Sequence, residues 1–326
     1  MSFNDWSALR EKRLAAMSPR ARERLQRRIK SMPPFEELGV AGLRGFLDHF
    51  MAAELAPGIR RRDIAVPGPA GSIPVRVYRP DGATEPLGIC IHHHGGGFIA
   101  GGGFDAYDAF NSRLAKEVNC LVVHPDFRLP PEHKFPAGLE DCWAVLKWVA
   151  QYGAELGGDP SKIAVGGGCT GATLSTVLAL MARDAGGPHI KFQWLFDAYL
   201  DARFDYQSQV ENGEGYFLSL EDNKWVTRRY LEHPEQRWDW RVSPILAGSV
   251  RGVAPALIVA GEFDILRDEM RHYANRLSDA GVPVEHYCYA GEGHAFSSGH
   301  DPDDLSEAGR DAHARRIAGL QRAFKS

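Results

Sequence analysis

Apolar and polar positions along the chain form a repeating pattern of two kinds of segment. Short apolar runs predict strands at residues 73–78, 87–91, 120–123, 163–165, 194–196, 256–260 and 284–289. Longer amphipathic stretches between some of these runs predict helices at residues 141–152, 171–185 and 268–280. Short strands separated by helices predict an α/β fold with a mostly parallel sheet that is covered on both faces. In such sheets a ligand binds at the carboxyl ends of the strands.

Two segments depart from this alternation. Residues 1–50 show helical periodicity without a strand, and residues 204–241 are polar, rich in aromatic residues and helical toward their end. We therefore predict a helical cap built from both segments, with a core formed by residues 51–203 and 242–326. The aromatic residues of the cap either form an apolar acyl or aryl pocket or attach the cap to the core: Trp6, Phe35, Phe46, Phe50, Tyr206, Tyr216, Phe217 and Trp225.

The composition limits the classes of function. With 326 residues, 44% of them hydrophobic, the chain can bury the core of one large domain, and its net charge of -4 argues against a nucleic-acid-binding protein. A basic stretch at residues 12–30 contains eight Lys or Arg residues and predicts a helix with a solvated face, with a partner-binding or membrane-facing surface as the alternative. A small molecule is the expected partner, and a homodimer stays open.

The N-terminal sequence and the cysteines predict a cytoplasmic protein that is not attached to a membrane. The chain shows no basic start followed by an apolar block and no apolar run of membrane-spanning length. Its five cysteines are scattered, without Cys-x-x-Cys spacing, so we expect free thiols and no zinc site. In a reducing compartment a thiol nucleophile stays usable.

A glycine-flanked cysteine follows one of the predicted strands. The segment Gly167-Gly168-Cys169-Thr170-Gly171 lies between the strand at residues 163–165 and a predicted helix. This order is typical of a nucleophile elbow, in which a tight turn presents the reactive side chain at the sheet edge and the helix N-terminus favours negative charge. A small buried thiol without chemical function is the alternative. The elbow hypothesis makes Cys169 the nucleophile.

A run of glycines follows another strand, in the segment His94-Gly95-Gly96-Gly97-Phe98. Consecutive glycines allow backbone N–H groups to face a ligand, as an oxyanion hole requires. A flexible loop and a phosphate-binding loop are the alternatives. The three consecutive histidines at residues 92–94 do not favour a metal site, because successive side chains on a strand point to opposite faces. We therefore expect no metal here.

An acid and a histidine follow two later strands. Asp264 comes just after the strand at residues 256–260, and His294 comes after the strand at residues 284–289. Both side chains should therefore reach the sheet edge where Cys169 lies. The chain order of nucleophile, acid and histidine matches the order of an α/β-hydrolase triad. These three residues together predict a catalytic triad, although each alone would be interpreted as an ordinary loop residue.

The sequence resembles the hormone-sensitive-lipase-like carboxylesterases, a family of α/β-hydrolases. The likeness covers about residues 70–300 and rests on the glycine loop together with Arg128-Leu129-Pro130-Pro131-Glu132-His133, Gly158-Asp159-Pro160 and Asp264-Ile265-Leu266-Arg267-Asp268. It implies an eight-stranded sheet, a cap built from residues 1–50 and 204–241, and ester hydrolysis without a cofactor. It also implies that the backbone N–H groups of Gly96, Gly97 and Thr170 are the oxyanion donors.

The sequence departs from that family around the nucleophile. Where the family commonly shows Gly-Asp-Ser-Ala-Gly-Gly, this chain has Gly167-Gly168-Cys169-Thr170-Gly171-Ala172. Asp197-Ala198 stands where the family commonly has Tyr-Pro after the following strand. We predict that Phe98 and Asp197 line the substrate pocket; for Asp197, a hydrogen-bonded acid without a role in turnover is the alternative. These changes favour a substrate other than a simple ester.

A thiol in this position sets the expected chemistry. A helix N-terminus and a neighbouring imidazolium favour a thiolate, which would attack a carbonyl and form an acyl thioester. Because thiolate is itself a good leaving group, we expect activated acyl groups such as thioesters, aryl or enol esters and lactones. Two alternatives remain: an acyltransferase or lyase on the same scaffold, and a non-catalytic protein that binds a small molecule. None of these functions implies a cofactor.

Overall fold

The structure is a computed structural model that describes residues 11–12, 14–15, 17, 22–23, 25–27, 33–51, 54–298 and 305–325. The predicted basic helix at residues 12–30 lies largely outside the described residues, as do Trp6 and the side chain of Phe50. No helix within the described ranges combines the length and apolar character that crossing a bilayer requires.

A central sheet of eight strands organises the described residues. Its strands are β1 (Ile59–Gly68), β2 (Gly71–Pro80), β3 (Leu87–His93), β4 (Leu121–Pro125), β5 (Gly158–Gly168), β6 (Ile190–Phe196), β7 (Ala256–Gly261) and β8 (Val284–Tyr289). They lie in the order β1-β2-β4-β3-β5-β6-β7-β8. Strand β2 is antiparallel to both neighbours, and every pair from β4 to β8 is parallel. The prediction of a mostly parallel eight-stranded sheet is confirmed.

Helices cover both faces of this sheet. They are α1 (Phe35–Met51), α2 (Asp108–Val118), α3 (Ala137–Tyr152), α4 (Thr170–Asp184), α5 (Gln207–Asn212), α6 (Leu220–Tyr230), α7 (Arg267–Asp279) and α8 (Glu307–Lys325). Alternate strand residues enter different hydrophobic clusters, as the pleat requires. Ile89 and Ile91 pack with residues of α3, α4 and α7, whereas Cys90 between them packs with residues of α2 and α8. The sheet is therefore buried on both sides.

Three elements lie where the apolar pattern predicted none. Strand β1 contains three successive arginines and a proline, and only Ile59 and Val66 are buried in it, because it forms the edge of the sheet. The other two elements that the pattern did not predict are helices α2 and α8. They bury several small or polar residues, such as Ser112 in α2 and Gly309 in α8. A buried face of this composition gives little hydrophobic periodicity, so these helices escape a pattern-based prediction.

Helices α1 and α6 contact each other beside the carboxyl edge of the sheet. The Phe35 N–H donates to a carboxylate oxygen of Asp222 at 2.8 Å, and the Phe35 ring meets Trp225 edge-on with a centroid distance of 6.0 Å. Arg44 links α1 to the segments that follow β3 and β4. It donates to the Ile99 carbonyl at 2.9 Å and pairs with Glu132 at 2.7 Å. The division into cap and core at the boundaries given above stays a prediction.

Candidate active site

Cys169 occupies a strained turn between β5 and α4. Its backbone has φ 52° and ψ -124°, a conformation that residues with a side chain rarely adopt. The flanking glycines make this turn sterically feasible: a β-carbon at Gly167 would lie 2.2 Å from the carbonyl oxygen of His93, and one at Gly171 would lie 2.0 Å from the same oxygen. The side chain of Cys169 is partly exposed and lines a cavity. The geometry is that of a nucleophile elbow.

Backbone hydrogen bonds hold the elbow in place. The N–H of Cys169 donates to the Phe196 carbonyl at 2.8 Å, which joins the turn to the end of β6. The Cys169 carbonyl accepts from Ala172 at 3.1 Å and Thr173 at 3.3 Å. Because the C=O and the next N–H of one peptide plane point in opposite directions, these bonds turn the Thr170 N–H away from the helix, toward the nucleophile.

The glycine loop after β3 orients two further N–H groups in the same way. The Gly95 carbonyl accepts from His94 Nδ1 at 2.8 Å and the Gly96 carbonyl accepts from Ile99 and Ala100 at 3.1 and 3.0 Å, so the N–H groups of Gly96 and Gly97 point the opposite way. Burial lowers the pKa of His94, which keeps its ring neutral. Within the described ranges, neither of these two N–H groups nor that of Thr170 donates to a protein acceptor. Three free donors near a nucleophile suit an oxyanion.

The glycine loop is also tied directly to the elbow. The Phe98 N–H donates to the Thr170 hydroxyl oxygen at 3.1 Å, with both residues buried. Phe98 is not among the residues that line the cavity, so its predicted place in the substrate pocket gains no support and stays a prediction. Its positive φ of 64° turns the ring onto Tyr230, where the two rings stack with centroids 3.8 Å apart. This residue therefore supports the loop.

The structure brings Asp264 and His294 together at the same sheet edge. Asp264 Oδ2 accepts from His294 Nδ1 at 2.9 Å, and Asp264 Oδ1 accepts from the Leu266 N–H at 2.9 Å, so both carboxylate oxygens are engaged. The loops that carry the pair are linked, because the Phe263 N–H donates to the Glu292 carbonyl at 2.8 Å. Asp264 is fully buried and His294 nearly so. The acid therefore fixes the orientation of the imidazole.

The electrostatics favour a charged imidazole. Burial alone lowers the pKa of His294, but the charges of Asp264 and Cys169, with hydrogen bonds to both, together raise its pKa well above the ordinary value. His294 therefore contacts Asp264 on one side and Cys169 on the other. Cys169, His294 and Asp264, predicted from the sequence as a triad, thus lie in one hydrogen-bonded chain.

Asp197 adds a second carboxylate to this site. It follows β6 with φ 49°, lines the cavity, and accepts from the Ala295 N–H at 3.2 Å. Asp197, Asp264 and His294 each offer a metal-ligating atom within 4.8 Å of the others, the one such group within the described residues. His294 Nδ1 and an oxygen of Asp264 already share a hydrogen bond, so we assign this pair to proton transfer. Asp197 both faces the cavity and holds the histidine loop.

The three consecutive histidines make different polar contacts. His92 Nδ1 lies 2.6 Å from the Asn111 side-chain oxygen, whereas His93 Nδ1 lies 2.9 Å from the Ser175 hydroxyl on the other side of the sheet. His94 stacks on Phe127 with a centroid distance of 4.3 Å. Their ring nitrogens thus face different partners, as the alternation of strand side chains requires.

The cavity extends from the cap to the far side of the elbow. Its cap side is lined by Phe35, Leu43, Leu47, Phe217, Leu218, Asn223 and Val226. Of the cap aromatic residues singled out from the sequence, Phe35 and Phe217 therefore face the cavity, whereas Trp225 is buried and Tyr216 stacks on Phe263 at 5.1 Å. The structure thus places some of these aromatic residues on the cavity wall and others in packing contacts, and an acyl or aryl pocket stays a prediction.

The inner end of the cavity contains residues that the sequence analysis did not identify. His92, Tyr107, Phe110, Trp194, Phe196 and Arg316 line it. Arg316 lies on α8, near the C-terminus of the chain and far in sequence from every recognised motif. No local signal in the sequence marks it, because its position depends on how α8 packs against the sheet.

Comparisons with known proteins agree with this geometry. A family model described as alpha/beta hydrolase fold matches residues 90–298. Carboxylic ester hydrolase LipN of Mycobacterium tuberculosis is 39% identical over 68% of this chain, and the match spans 60% of LipN. Carboxylesterase NlhH of the same organism is 38% identical over 71% of this chain and 74% of its own. A Pyrobaculum calidifontis esterase structure superposes with a TM-score of 0.84 and 33% identity, covering 94% of this chain and 98% of the other.

Proposed function

The chain belongs to the α/β-hydrolase family, and from that membership we propose that it hydrolyses carboxylic ester, thioester or lactone bonds with Cys169 as the nucleophile. Relatives named as carboxylic ester hydrolases and esterases support the bond type. The cysteine is this chain's own feature, so the covalent chemistry is argued from its residues alone.

One observation carries the proposal: a thiol, an imidazole with a raised pKa and three N–H groups without a protein acceptor meet at one cavity. A binding protein has no need of a buried Asp264 that orients His294, nor of a strained turn at the cysteine. Strain and a perturbed pKa in a cavity are typical of catalytic sites.

In the proposed acylation step, the Cys169 thiolate attacks the substrate carbonyl carbon. The carbonyl oxygen takes the electron pair and accepts hydrogen bonds from the N–H groups of Gly96, Gly97 and Thr170, each of which is worth on the order of 3 kcal/mol in such sites. The tetrahedral intermediate collapses as the bond to the leaving group breaks. His294 gives its proton to the departing alkoxide or thiolate, and an acyl thioester remains on Cys169.

In the proposed deacylation step, neutral His294 takes a proton from water while the water oxygen attacks the thioester carbonyl. The same N–H groups hold the oxyanion. Collapse releases the carboxylic acid and restores the Cys169 thiolate beside the His294 imidazolium. Asp264 keeps its hydrogen bond to His294 Nδ1 throughout and stabilises the charged ring without taking its proton.

A trapped acyl enzyme provides the decisive experiment. Intact-mass measurement after mixing with an aryl ester is expected to show one added acyl group on the wild type and none on Cys169→Ala, whose turnover should fall by about a thousandfold or more. Cys288, the exposed free thiol, supplies the matched control: Cys288→Ser should retain both the adduct and the activity. Full turnover in Cys169→Ala contradicts the proposal.

Added amine and alcohol acceptors separate hydrolysis from acyl transfer, because both share the acyl thioester. The proposal expects the free acid as the main product in the presence of either acceptor. A transferred acyl group in place of the acid assigns the chain to the acyltransferases instead. Absence of both adduct and turnover across aryl esters, thioesters and lactones favours the non-catalytic alternative.

A further inference from the structure

Arg316 is a buried cation at the inner end of the active-site cavity. The residue is only 2% exposed, and it lines the same cavity as Cys169 and His294. Burial lowers the pKa of Arg316 to about 10, so the guanidinium still carries its charge at neutral pH. An isolated charge in an apolar setting is unfavourable unless it gains a partner of opposite sign.

No carboxylate of the described residues contacts this guanidinium. Nη2 lies 2.5 Å from Nδ1 of His313, and Nε2 of His313 in turn lies 2.5 Å from Glu117, so the His313 ring, whose pKa burial lowers, stands between Arg316 and Glu117. Nε of Arg316 is buried and has no hydrogen-bond partner within the described part of the chain. Arg316 therefore keeps donor capacity that its protein neighbours do not use.

Aromatic rings surround the guanidinium on its other sides. Its central carbon lies 4.7 Å from the ring centroid of Phe110 and 5.2 Å from those of Trp194 and Phe196. Such rings stabilise a cation while excluding water, and this strengthens any hydrogen bond to an anion. The environment is that of an anion subsite with dry walls, rather than a solvated surface arginine.

The subsite lies within reach of the nucleophile. Phe196 pairs with Gly168 on the neighbouring strand, and Cys169 is the next residue. Adjacent strands lie about 4.8 Å apart, and the Arg316 guanidinium carbon lies 5.2 Å from the Phe196 ring centroid, so Phe196 connects the elbow to Arg316 along the wall of one cavity. Ser297 and Ser298, on the histidine loop, also line this part of the cavity.

We infer that Arg316 binds a second carboxylate of the substrate, so that the preferred substrates are esters or thioesters of short dicarboxylic acids with one end free. This inference rests on the proposed hydrolase function and adds a substrate class to it. The guanidinium nitrogen Nη1, the end nitrogen that is not engaged with His313, donates to the free carboxylate in a charge-assisted hydrogen bond. The carbonyl at the other end then lies at Cys169.

Matched substrates test the charge directly. The 4-nitrophenyl monoester of pentanedioic acid and 4-nitrophenyl pentanoate have the same number of acyl carbons and differ in a terminal carboxylate or methyl group. For the wild type we expect kcat/KM to favour the charged ester by about tenfold or more, the usual worth of a buried charged hydrogen bond. Arg316→Met should lower that ratio by the same factor, and Arg316→Lys by less.

Arg315→Met is the matched control, because Arg315 is the neighbouring residue on α8 but pairs with Asp311 outside the cavity. It should leave the ratio of the two substrates unchanged. A wild-type ratio near or below one overturns the inference, as does an equal loss on both substrates in Arg316→Met. The wild-type ratio decides the question even where Arg316→Met fails to fold.

A binding measurement separates this inference from the proposed function. Calorimetric titration of Cys169→Ala with pentanedioate and with pentanoate needs no turnover, and we expect pentanedioate to bind about tenfold more tightly. Equal affinities overturn the subsite while leaving ester hydrolysis intact. Tighter binding of pentanedioate together with full turnover in Cys169→Ala supports the subsite and contradicts the cysteine mechanism.

Discussion

Replacing Asp264 by asparagine should inactivate the protein while leaving its fold in place. The carboxylate lies 2.9 Å from His294 Nδ1, and both residues are buried. At that separation and an effective dielectric constant of about 20, a unit charge pair is worth roughly 6 kcal/mol. Asp264→Asn removes this interaction from the imidazolium, and the pKa of His294 should fall.

The hydrogen-bond geometry adds a second effect. Asp264 Oδ1 accepts from the Leu266 N–H at 2.9 Å while Oδ2 accepts from His294. An asparagine has one acceptor oxygen, so either Leu266 or His294 faces the NH2 group. If the oxygen stays with Leu266, His294 must accept at Nδ1 and carry its proton on Nε2, which is the wrong tautomer for a base toward the nucleophile. We expect kcat to fall by a factor of about 10³–10⁴. Expressed as a free energy, this factor is close to the value of the charge pair given above.

Steady-state kinetics with an aryl ester and a proton NMR titration of His294, assigned with His294→Gln, measure the two effects. Glu269→Gln is the matched control: this buried carboxyl accepts from the Leu200 N–H at 3.2 Å, the amide oxygen of glutamine can keep that bond, and the replacement should therefore change kcat by less than about threefold. An Asp264→Asn variant with wild-type kcat, or with an unshifted His294 titration, refutes the reasoning.

The Asp264–His294 pair also predicts how the free energy of unfolding depends on pH. Because the folded-state pKa of His294 lies above its unfolded value of about 6.5, the imidazolium contributes stability that is fully present below that pH. This contribution is lost as pH rises through the folded-state pKa. The difference in the free energy of unfolding between the wild type and Asp264→Asn should therefore be larger at pH 6 than in the alkaline range, as measured by urea titration.

Three further substitutions probe the surroundings of the triad. Gly97→Ala should lower kcat about a hundredfold, since the residue has φ 63° and the new β-carbon would lie 2.7 Å from Val226; Val226→Ala should recover part of the loss. Thr170→Val should reduce the free energy of unfolding by about 1–3 kcal/mol in urea titrations, because the Phe98 N–H loses its acceptor, whereas Thr170→Ser should not. Asp197→Asn should keep the hydrogen bond from the Ala295 N–H, because the asparagine side-chain oxygen can still accept it. It should lower kcat/KM by about tenfold at most, which is much less than the effect of Asp264→Asn, and pH profiles of kcat/KM measure this difference.

The apolar pattern of the sequence identified the part of the fold that is buried on both faces. Strands β3 and β7 are buried along their whole length, and the apolar runs predicted at residues 87–91 and 256–260 agree closely with them. Strand β1 and helix α8 were missed because an arginine-rich edge strand and a helix of small buried residues carry little hydrophobic signal. Hydrophobic periodicity reports large apolar side chains at regular spacing, so the arginine-rich edge strand β1 and a helix packed through small residues escape it. The other edge strand, β8, has alternating apolar residues and was therefore predicted.

The residues of the candidate active site were also predicted only in part from the sequence. Motifs next to strand ends located Cys169, Asp264 and His294, because parallel strands bring their carboxyl ends to one edge. The sequence could not show where the Phe98 ring packs, since its positive φ is a feature of the folded loop and its ring stacks on Tyr230. Arg316 could not be identified at all: a single arginine on a helix looks solvent-exposed until tertiary packing buries it.

The thiol at the elbow changes the order of proton transfers. Burial lowers the pKa of His294, but its interactions with Asp264 and Cys169 outweigh burial and raise that pKa well above the ordinary value. A serine at residue 169 contributes no resting charge, so the imidazole would begin neutral and act first as a base. In the proposed cysteine mechanism the reaction starts from an imidazolium, which acts first as an acid toward the leaving group. The bond most easily cleaved is then one whose leaving group competes well with thiolate, which is why thioesters and aryl esters, rather than plain alkyl esters, suit this site.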